Sequence, residues 1–258
     1  MAMRCLSQIL LNYKKVAVAF SGGLDSTTLL AMGQKVLGKN VVALMGVAPI
    51  FSVQEQVEGE QFCVEYGIEL IKVPFEPMQI SGFVANGEKR CYYCKKALFL
   101  SLQKVAEAQK AVLVDGTNLD DDGDFRPGRK AAEELGVASP FYIAGMGKDA
   151  IRKLAKELNL DIWDKPSMAC LASRIAKGKQ IDVEILKKID KAEGQIRGLG
   201  YRQIRCRVLQ NGKFIIENED GCFSESNKEK IVNILKNSFL DVWQIEYAQY
   251  VTGAMNFR

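Results

Sequence analysis

Short apolar runs alternate with longer amphipathic stretches through the first two thirds of the chain. The apolar runs, each short enough for one buried strand, are 16–20, 41–47, 69–73 and 111–115. Between and after them, apolar residues at helical spacing predict helices over 26–37, 52–66, 95–109, 129–135 and 148–158. Alternating strands and helices imply a parallel sheet, because the crossover connections place helices on both faces. We therefore predict an α/β fold with a parallel twisted sheet.

The pattern changes after residue 174. The predicted elements there are a helix over 182–199, strands over 204–209 and 213–217, a helix over 225–236 and a strand over 242–251. The turn Asn211-Gly212 between the first two strands is typical of a hairpin. These elements predict a small C-terminal α+β domain. We place the boundary in the Gly/Lys-rich link 175–181, which gives domains 1–176 and 177–258.

Composition narrows the possible chemistry. The chain has seven cysteines and no histidine, which excludes Ser-His-Asp and Cys-His catalysis and any metal site with a histidine ligand. No apolar run reaches the ~18 residues that span a bilayer, and the N-terminus does not resemble a signal peptide. We therefore expect a cytoplasmic protein whose cysteines are core residues, metal ligands or nucleophiles. A net charge of +4 is too small to indicate nucleic acid, so we expect neither a nucleic-acid nor a membrane partner.

The loop after the first predicted strand has the features of an anion site. It reads Ser-Gly-Gly-Leu-Asp-Ser at 21–26 and leads into a predicted helix. Glycines let backbone N–H groups surround an anion, and the helix start adds partial positive charge. The loop is not a P-loop, because it has no Gly-Lys-Ser/Thr element. A tight strand-to-helix turn without a ligand is the alternative.

This string resembles the pyrophosphate loop of the ATP pyrophosphatases, also called PP-loop enzymes or adenine nucleotide alpha hydrolase-like proteins. The resemblance implies the same fold and a loop that binds the phosphates leaving as pyrophosphate. The ATP-binding residues that it implies here are Ser21, Gly22, Gly23, Asp25 and Ser26. Asp25 would also hold Mg²⁺. Members of this superfamily adenylylate an oxygen, which a nucleophile such as ammonia or sulfur then displaces.

Three cysteines are candidates for the second half of such a reaction. Cys91 and Cys94 form a C-x-x-C flanked by Arg and Lys, and Cys170 lies far along the chain before a second arginine. Neighbouring cations favour the thiolate, which is the nucleophile and the metal ligand. Two cysteines at this spacing can chelate one metal, and three would leave one iron of a [4Fe–4S] cluster open for an exogenous sulfide. A zinc site, a redox dithiol or simple packing remain alternatives. We expect no metal at Cys5, Cys63, Cys206 or Cys222.

Longer motifs resemble the LarE family of sulfur transferases. They are Arg-Cys-Tyr-Tyr-Cys-Lys-Lys at 90–96, Asp-Gly-Thr-Asn-x-Asp-Asp-x-Gly-Asp-x-Arg-Pro-Gly at 115–128, Cys-Leu-Ala-Ser-Arg at 170–174 and Thr-Gly-Ala-Met-Asn at 252–256. The family adenylylates a carboxylate of pyridinium-3,5-biscarboxylic acid mononucleotide and installs sulfur as a thiocarboxylate, for the nickel-pincer cofactor of lactate racemase. The resemblance also implies a separate sulfur donor and a homo-oligomer, with a hexamer as one form.

Two branches of the family differ in the origin of the sulfur. In one, the cysteine equivalent to Cys170 gives up its own sulfur and becomes dehydroalanine. In the other, three cysteines bind a [4Fe–4S] cluster that carries an extra sulfur. Because this chain has Cys91 and Cys94 in addition to Cys170, we predict the cluster branch.

The resemblance and the charges suggest further site residues. Gly116, Thr117 and Asn118 are expected to line the nucleotide cleft, and the following aspartates, Asp120, Asp121, Asp122 and Asp124, could assist Mg²⁺ or orient the loop. Lys95 or Lys96 and Arg174 are candidates for binding the anionic substrate, and Glu193, Arg205 and Arg207 match charged positions implicated in substrate binding in the family. Arg205 and Arg207 share one strand face, an arrangement that is more often simply solvated.

Three other functions compete with this interpretation. A tRNA thiolase would use the same loop and a three-cysteine cluster, but it needs a broad basic surface or an RNA-binding module, which the sequence does not indicate. A nucleotide sensor without catalysis would leave Asp25 and the paired cysteines unexplained. An amide-forming relative that uses ammonia would not explain the cysteines either.

Overall fold

A computed structural model describes residues 2–123, 127–166, 169–209 and 212–251 and shows two compact units. The first unit comprises Met1–Ala48, Gln54–Ile80 and Lys89–Ser167, and the second comprises Pro49–Val53, Ser81–Glu88 and Met168–Arg258. Two short segments from the first third of the chain therefore belong to the C-terminal unit. None of the helices in the described ranges is long and apolar enough to cross a bilayer.

The elements follow the predicted order closely. The helices in the described ranges are α1 (Ala2–Tyr13), α2 (Leu24–Leu37), α3 (Val53–Glu65), α4 (Ser81–Val84), α5 (Arg90–Ala108), α6 (Pro127–Glu134), α7 (Pro140–Ile143), α8 (Lys148–Glu157), α9 (Val183–Arg197) and α10 (Glu225–Ser238). The strands are β1 (Val16–Ala19), β2 (Val41–Val47), β3 (Glu69–Pro74), β4 (Val112–Val114), β5 (Arg205–Val208), β6 (Lys213–Asn218) and β7 (Gln244–Gln249). Helix α1 was not predicted, and α5 begins five residues before the predicted start.

The first unit is built on a parallel sheet. Its strands lie in the order β3-β2-β1-β4, and Val16 is paired with Val41 on one side and with Val112 on the other. Helices cover both faces because successive strand residues point to opposite sides. Val16 and Val18 of β1 pack with residues of α1, α2 and α8, whereas Ala17 packs with residues of α5 and α6. The predicted α/β fold class is confirmed.

The second unit contains a smaller mixed sheet. Strands β5 and β6 form the predicted antiparallel hairpin, in which Arg205 is paired with Glu217, and β7 lies parallel to β6. Asn211 of the predicted turn lies outside the described residues. Helix α9 contacts both β5 and α10, and its buried stripe is made of Leu186, Ile189, Ala192 and Ile196. The side chain of Asp182 caps this helix by accepting the amide hydrogen of Ile185.

The Gly/Lys-rich link is anchored within the second unit. Asn86, from the early segment Ser81–Glu88, donates its side-chain amide to the carbonyl groups of Ala176 and Lys179 at 2.9 Å each. The side chain of Asn86 is almost fully buried. The link is therefore part of a packed unit, tied by hydrogen bonds between residues about ninety positions apart.

Candidate active site

The strand order brings two loops to one edge of the first unit's sheet. Because β1 and β4 are neighbouring parallel strands, the segments that follow them, 20–23 and 115–118, leave the sheet at the same edge. The chain runs outward from β1 through β2 to β3 and then returns to the other side of β1 with β4. The gap beside β1 is thus the point where strand order reverses, and open α/β sheets bind their ligands at such a point.

The glycine loop has the backbone shape of an anion cradle. Gly22 adopts a left-handed conformation with φ +72°, and a Cβ there would lie 3.0 Å from the carbonyl oxygen of Glu55. Gly23 precedes helix α2, and no side chain caps this end of the helix, where the helix dipole favours an anion. The hydroxyl groups of Ser21 and Ser26 lie 3.1 Å apart and add hydrogen-bonding capacity. The loop fits a phosphate group.

Gly116 brings the loop after β4 into contact with the glycine loop at residues 21–26, which is called the phosphate loop below. A Cβ at Gly116 would lie 3.0 Å from the Cβ of Asp25 and 3.1 Å from the amide nitrogen of Ser26. Only glycine permits this approach without displacing one backbone from the other. Asp115 fixes the same loop, since its carboxylate accepts hydrogen bonds from the hydroxyl groups of Thr117 and Ser139, each at 2.7 Å. The structure thus brings together the two segments that the sequence predicts to bind ATP.

Two lysines that the sequence analysis did not single out contact the phosphate loop. The ammonium group of Lys148 forms an ion pair with the carboxylate of Asp25. Lys165 donates to the carbonyl oxygen of Gly22 at 3.0 Å and to the carboxylate of Glu58 at 2.8 Å. These cations come from positions more than 120 residues beyond the loop, so no local motif reveals them. They place positive charge where a polyphosphate would bind.

The acidic loop orients the backbone around this site. The side chain of Asn118 is fully buried, and its oxygen accepts the amide hydrogen of Asp120 at 3.1 Å. Within the described residues, its nitrogen has no hydrogen-bond acceptor, so Asn118 fits a bound ligand or water beside the loop. Asp121 accepts the amide hydrogen of Asn118, and Asp120 accepts that of Lys148 at 2.6 Å. Asp124 and the side chain of Asp122 lie outside the described residues.

The C-x-x-C pair lies in the first turn of a helix. Helix α5 begins at Arg90, so Cys91 and Cys94, three residues apart, face the same side. Both are half-buried, and the guanidinium group of Arg90 lies 3.7 Å from the sulfur of Cys91. The first turn of α5 therefore presents two cysteine side chains that could bind one metal.

The two lysines after the C-x-x-C have different surroundings. Lys95 is exposed, and its ammonium group lies 5.2 Å from the centre of the Phe99 ring. Lys96 instead donates to Tyr92 and to Glu134 of α6, each at 2.9 Å. These hydrogen bonds raise the pKa of Lys96, and the bond from Tyr92 followed by that from Lys96 lowers the pKa of Glu134. Lys96 thus ties α5 to α6, and Lys95 is the better placed of the two to meet an anion.

In the second unit, Cys170 lies on a turn that a buried arginine holds. Cys170 is half-buried and directly precedes a single helical turn, Leu171–Arg174. Arg174 is only 1% exposed and donates to the carbonyl oxygens of Ala169 and Cys170 and to the hydroxyl group of Ser173. Its other nitrogens form a bidentate pair with Glu193 at 2.8 and 2.9 Å. Arg174 therefore fixes the backbone around Cys170.

The predicted arginines of the second unit are buried and not solvated. Arg205 and Arg207 are 0% and 4% exposed, and Arg207 forms an ion pair with Glu217 at 2.9 Å. Burial, followed by the neighbouring charge of Arg174, lowers the pKa of Arg205 to about 10. Burial alone would raise the pKa of Glu193, but its ion pair with Arg174 outweighs this effect and lowers it. The second unit therefore contains a buried cluster of charged side chains, made of Arg174, Glu193, Arg205, Arg207 and Glu217.

The other four cysteines belong neither to the C-x-x-C pair nor to the turn at Cys170. Burial raises the pKa of Cys63 to about 12, and it also raises that of Cys206 in strand β5, so both thiols stay protonated. Cys5 and Cys222 are exposed. Among the residues that the structure describes, no three acidic or cysteine side chains gather into a group that could hold a metal ion.

Comparison with known proteins gives three relatives. No protein-family model matches the chain. The chain is 38% identical over 207 residues to an uncharacterized protein of Synechocystis sp., covering 80% of the chain and 77% of that protein. It is 34% identical over 226 residues to an uncharacterized protein of Methanocaldococcus jannaschii, covering 87% and 86%. It is 32% identical over 198 residues to the pyridinium-3,5-bisthiocarboxylic acid mononucleotide synthase of Lactiplantibacillus plantarum, covering 76% and 72%.

Proposed function

The chain belongs to the LarE family of sulfur transferases, and on that premise we propose that it uses ATP to replace a carboxylate oxygen of pyridinium-3,5-biscarboxylic acid mononucleotide with sulfur. The main support for the use of ATP is the glycine loop at residues 21–26. This loop leads into a helix that no side chain caps, and it lies against Gly116. The products of the proposed reaction are a thiocarboxylate, AMP and pyrophosphate. A homo-oligomer and a separate sulfur donor are further parts of this proposal.

The first half-reaction activates the carboxylate. A carboxylate oxygen attacks the α-phosphorus of ATP, and the bond from that phosphorus to the pyrophosphate oxygen breaks. The amides of Gly23 and the first turn of α2, together with the hydroxyl groups of Ser21 and Ser26, would hold the leaving pyrophosphate. Mg²⁺ at Asp25 would neutralise charge on the phosphates, which is the chemistry that this ion supplies.

The second half-reaction replaces the activated oxygen. Sulfide attacks the carbonyl carbon of the acyl-adenylate, the carbon–sulfur bond forms, and AMP leaves with the original oxygen. Cys91, Cys94 and Cys170 would hold a [4Fe–4S] cluster, which when bound would supply the sulfide. The thiol pair in the first turn of α5 supports this donor set. Arg174 would keep the Cys170 turn in a fixed conformation.

The anionic substrate needs cationic partners. Lys95 is exposed on the same helix as the cysteine pair, and we assign it a role in binding a carboxylate or the phosphate of the mononucleotide. Arg205 and Arg207 are proposed to attract the same substrate in the second unit. The buried cluster contains three guanidinium groups and two carboxylates, so its excess of positive charge would attract an anion.

Pyrophosphate release tests the proposal. The purified enzyme, given ATP, Mg²⁺ and the pyridinium biscarboxylate, is expected to release pyrophosphate only when that substrate is present. Asp25→Asn removes the proposed magnesium ligand and should lower kcat by at least about 100-fold, the scale of losing a transition-state charge stabiliser. Asp190→Asn on α9 is a control, because its carboxylate accepts the amide hydrogen of Val53 at 3.0 Å and is not part of the glycine loop. Release that is independent of the substrate, or unchanged in Asp25→Asn, would contradict the proposal.

A further inference from the structure

The ammonium group of Lys148 is paired with the carboxylate of Asp25, which is also the proposed ligand of Mg²⁺. Lys148 and Asp25 form an ion pair in which the two side chains are 37% and 24% exposed, so solvent and ligands can reach it. The pair lies at the first turn of α2, a helix start that no side chain caps. A magnesium ion at Asp25 would weaken this pair, because two cations that share one carboxylate repel each other.

The backbone of Lys148 is held by the acidic loop. Lys148 is the first residue of α8, and its amide donates to the carboxylate of Asp120 at 2.6 Å. Gly147 packs against the same carboxylate, since a Cβ there would lie 3.0 Å from both of its oxygens. Asp120 therefore positions the residue that carries the ammonium group. The side chain itself is a flexible four-carbon chain that can redirect its charge over a few ångströms.

A second lysine contacts the backbone of the loop. Lys165 is half-buried and bonds both to the carbonyl oxygen of Gly22 and to Glu58. This contact ties Lys165 to the residue of the loop that has a left-handed conformation. Lys165 is thus bound to the loop's backbone, whereas Lys148 is bound to the one acidic side chain of the loop.

We infer that Lys148 is an exchangeable counter-ion of the phosphate site: it neutralises Asp25 while nucleotide is absent and transfers to the phosphates when Mg-ATP takes up the carboxylate. This inference rests on the proposed function, because it takes Asp25 as the magnesium ligand. The exchange leaves no charge without a partner, because Mg²⁺ replaces the ammonium group at Asp25 and the ammonium group then pairs with the phosphates. A simple structural tie between α2 and α8 would not change partners.

Manganese binding separates these two roles. Free Mn²⁺ is counted by electron paramagnetic resonance during titration of the enzyme, first alone and then with an ATP analogue that cannot be cleaved between its α- and β-phosphates. In Lys148→Met, the affinity for Mn²⁺ alone should rise about two- to fivefold, because a competing ion pair of ordinary strength is gone. Affinity for the manganese–analogue complex should fall about tenfold or more, because a charge-assisted hydrogen bond to phosphate is lost.

A matched control lies on the same helix. Lys153 is an exposed residue of α8, so Lys153→Met removes the same charge without touching Asp25 and should leave both affinities unchanged. Opposite shifts in Lys148→Met, with thermal unfolding unaltered, support the inference. Full retention of analogue binding by Lys148→Met, or an equal loss in Lys153→Met, overturns it. Failure of the wild-type enzyme to bind the analogue would overturn the proposed function as well, so the two failures are distinguishable.

Discussion

Replacing Glu193 with alanine is expected to lower the free energy of unfolding of the second unit by about 3–5 kcal/mol. Glu193 is 1% exposed and is the bidentate partner of Arg174, and it also accepts the amide hydrogen of Cys206 at 2.8 Å. Its removal leaves a buried guanidinium group without its carboxylate and a strand amide without its acceptor. Urea denaturation followed by circular dichroism measures the loss.

The control for this prediction is Glu184→Ala on the same helix. Glu184 pairs with Lys187, and both side chains are largely exposed, so the change should cost less than about 1 kcal/mol. Because the pKa of Glu193 is lower in the folded than in the unfolded protein, its contribution is present above about pH 4.3 and is lost as the pH falls through the folded value. Equal stability of the two alanine variants at pH 7 would show that the buried cluster does not hold the second unit together.

Replacing Cys91 or Cys170 with alanine is expected to reduce thiocarboxylate formation to the background of the uncatalysed reaction. On protein purified without oxygen, iron and acid-labile sulfide should be present in the wild type and lost in Cys91→Ala, because Cys91 is one of the three ligands of the proposed cluster. Cys222→Ala is the matched control, since Cys222 is an exposed cysteine distant in sequence from the motifs. Iron analysis and mass spectrometry of the product provide the two readouts.

Two outcomes would contradict the cluster assignment in different ways. A Cys91→Ala variant with full cluster content and full activity would remove Cys91 from the metal site. Wild-type protein that gains no iron after reconstitution, and whose Cys170 becomes dehydroalanine after one turnover, would instead identify Cys170 as a sacrificial sulfur donor. The intact mass of the protein before and after reaction distinguishes these cases.

The sequence predicts the parallel sheet well because its strands are short apolar runs between strong glycine stops. Val41–Val47 matches the predicted strand residue for residue, and the other strands of the first unit agree within two residues. The start of α5 was predicted too late, since Arg90–Cys94 has no apolar periodicity to mark a helix. Helix α1 was missed, although Leu6 and Leu10 of that helix are fully buried.

The motifs of the site could be predicted from the sequence, whereas the contacts between residues distant in sequence could not. The phosphate loop and Gly116 could be predicted because each forms a contiguous string at the end of a strand. Lys148 and Lys165 could not, because their role depends on contacts with Asp25 and Gly22 across more than 120 residues. Period-two spacing placed Arg205 and Arg207 on one face, but spacing does not tell whether that face is covered.

The fate of the carboxylate oxygen tests the central claim most directly. The pyridinium biscarboxylate is prepared with ¹⁸O in its carboxylates and incubated with the enzyme, ATP, Mg²⁺ and a sulfide source, and the nucleotide products are analysed by mass spectrometry. Adenylylation followed by sulfur displacement predicts one ¹⁸O atom in the phosphate of AMP for every thiocarboxylate formed, with unlabelled pyrophosphate. AMP without ¹⁸O, or label in the pyrophosphate, would contradict activation of the carboxylate at the α-phosphorus.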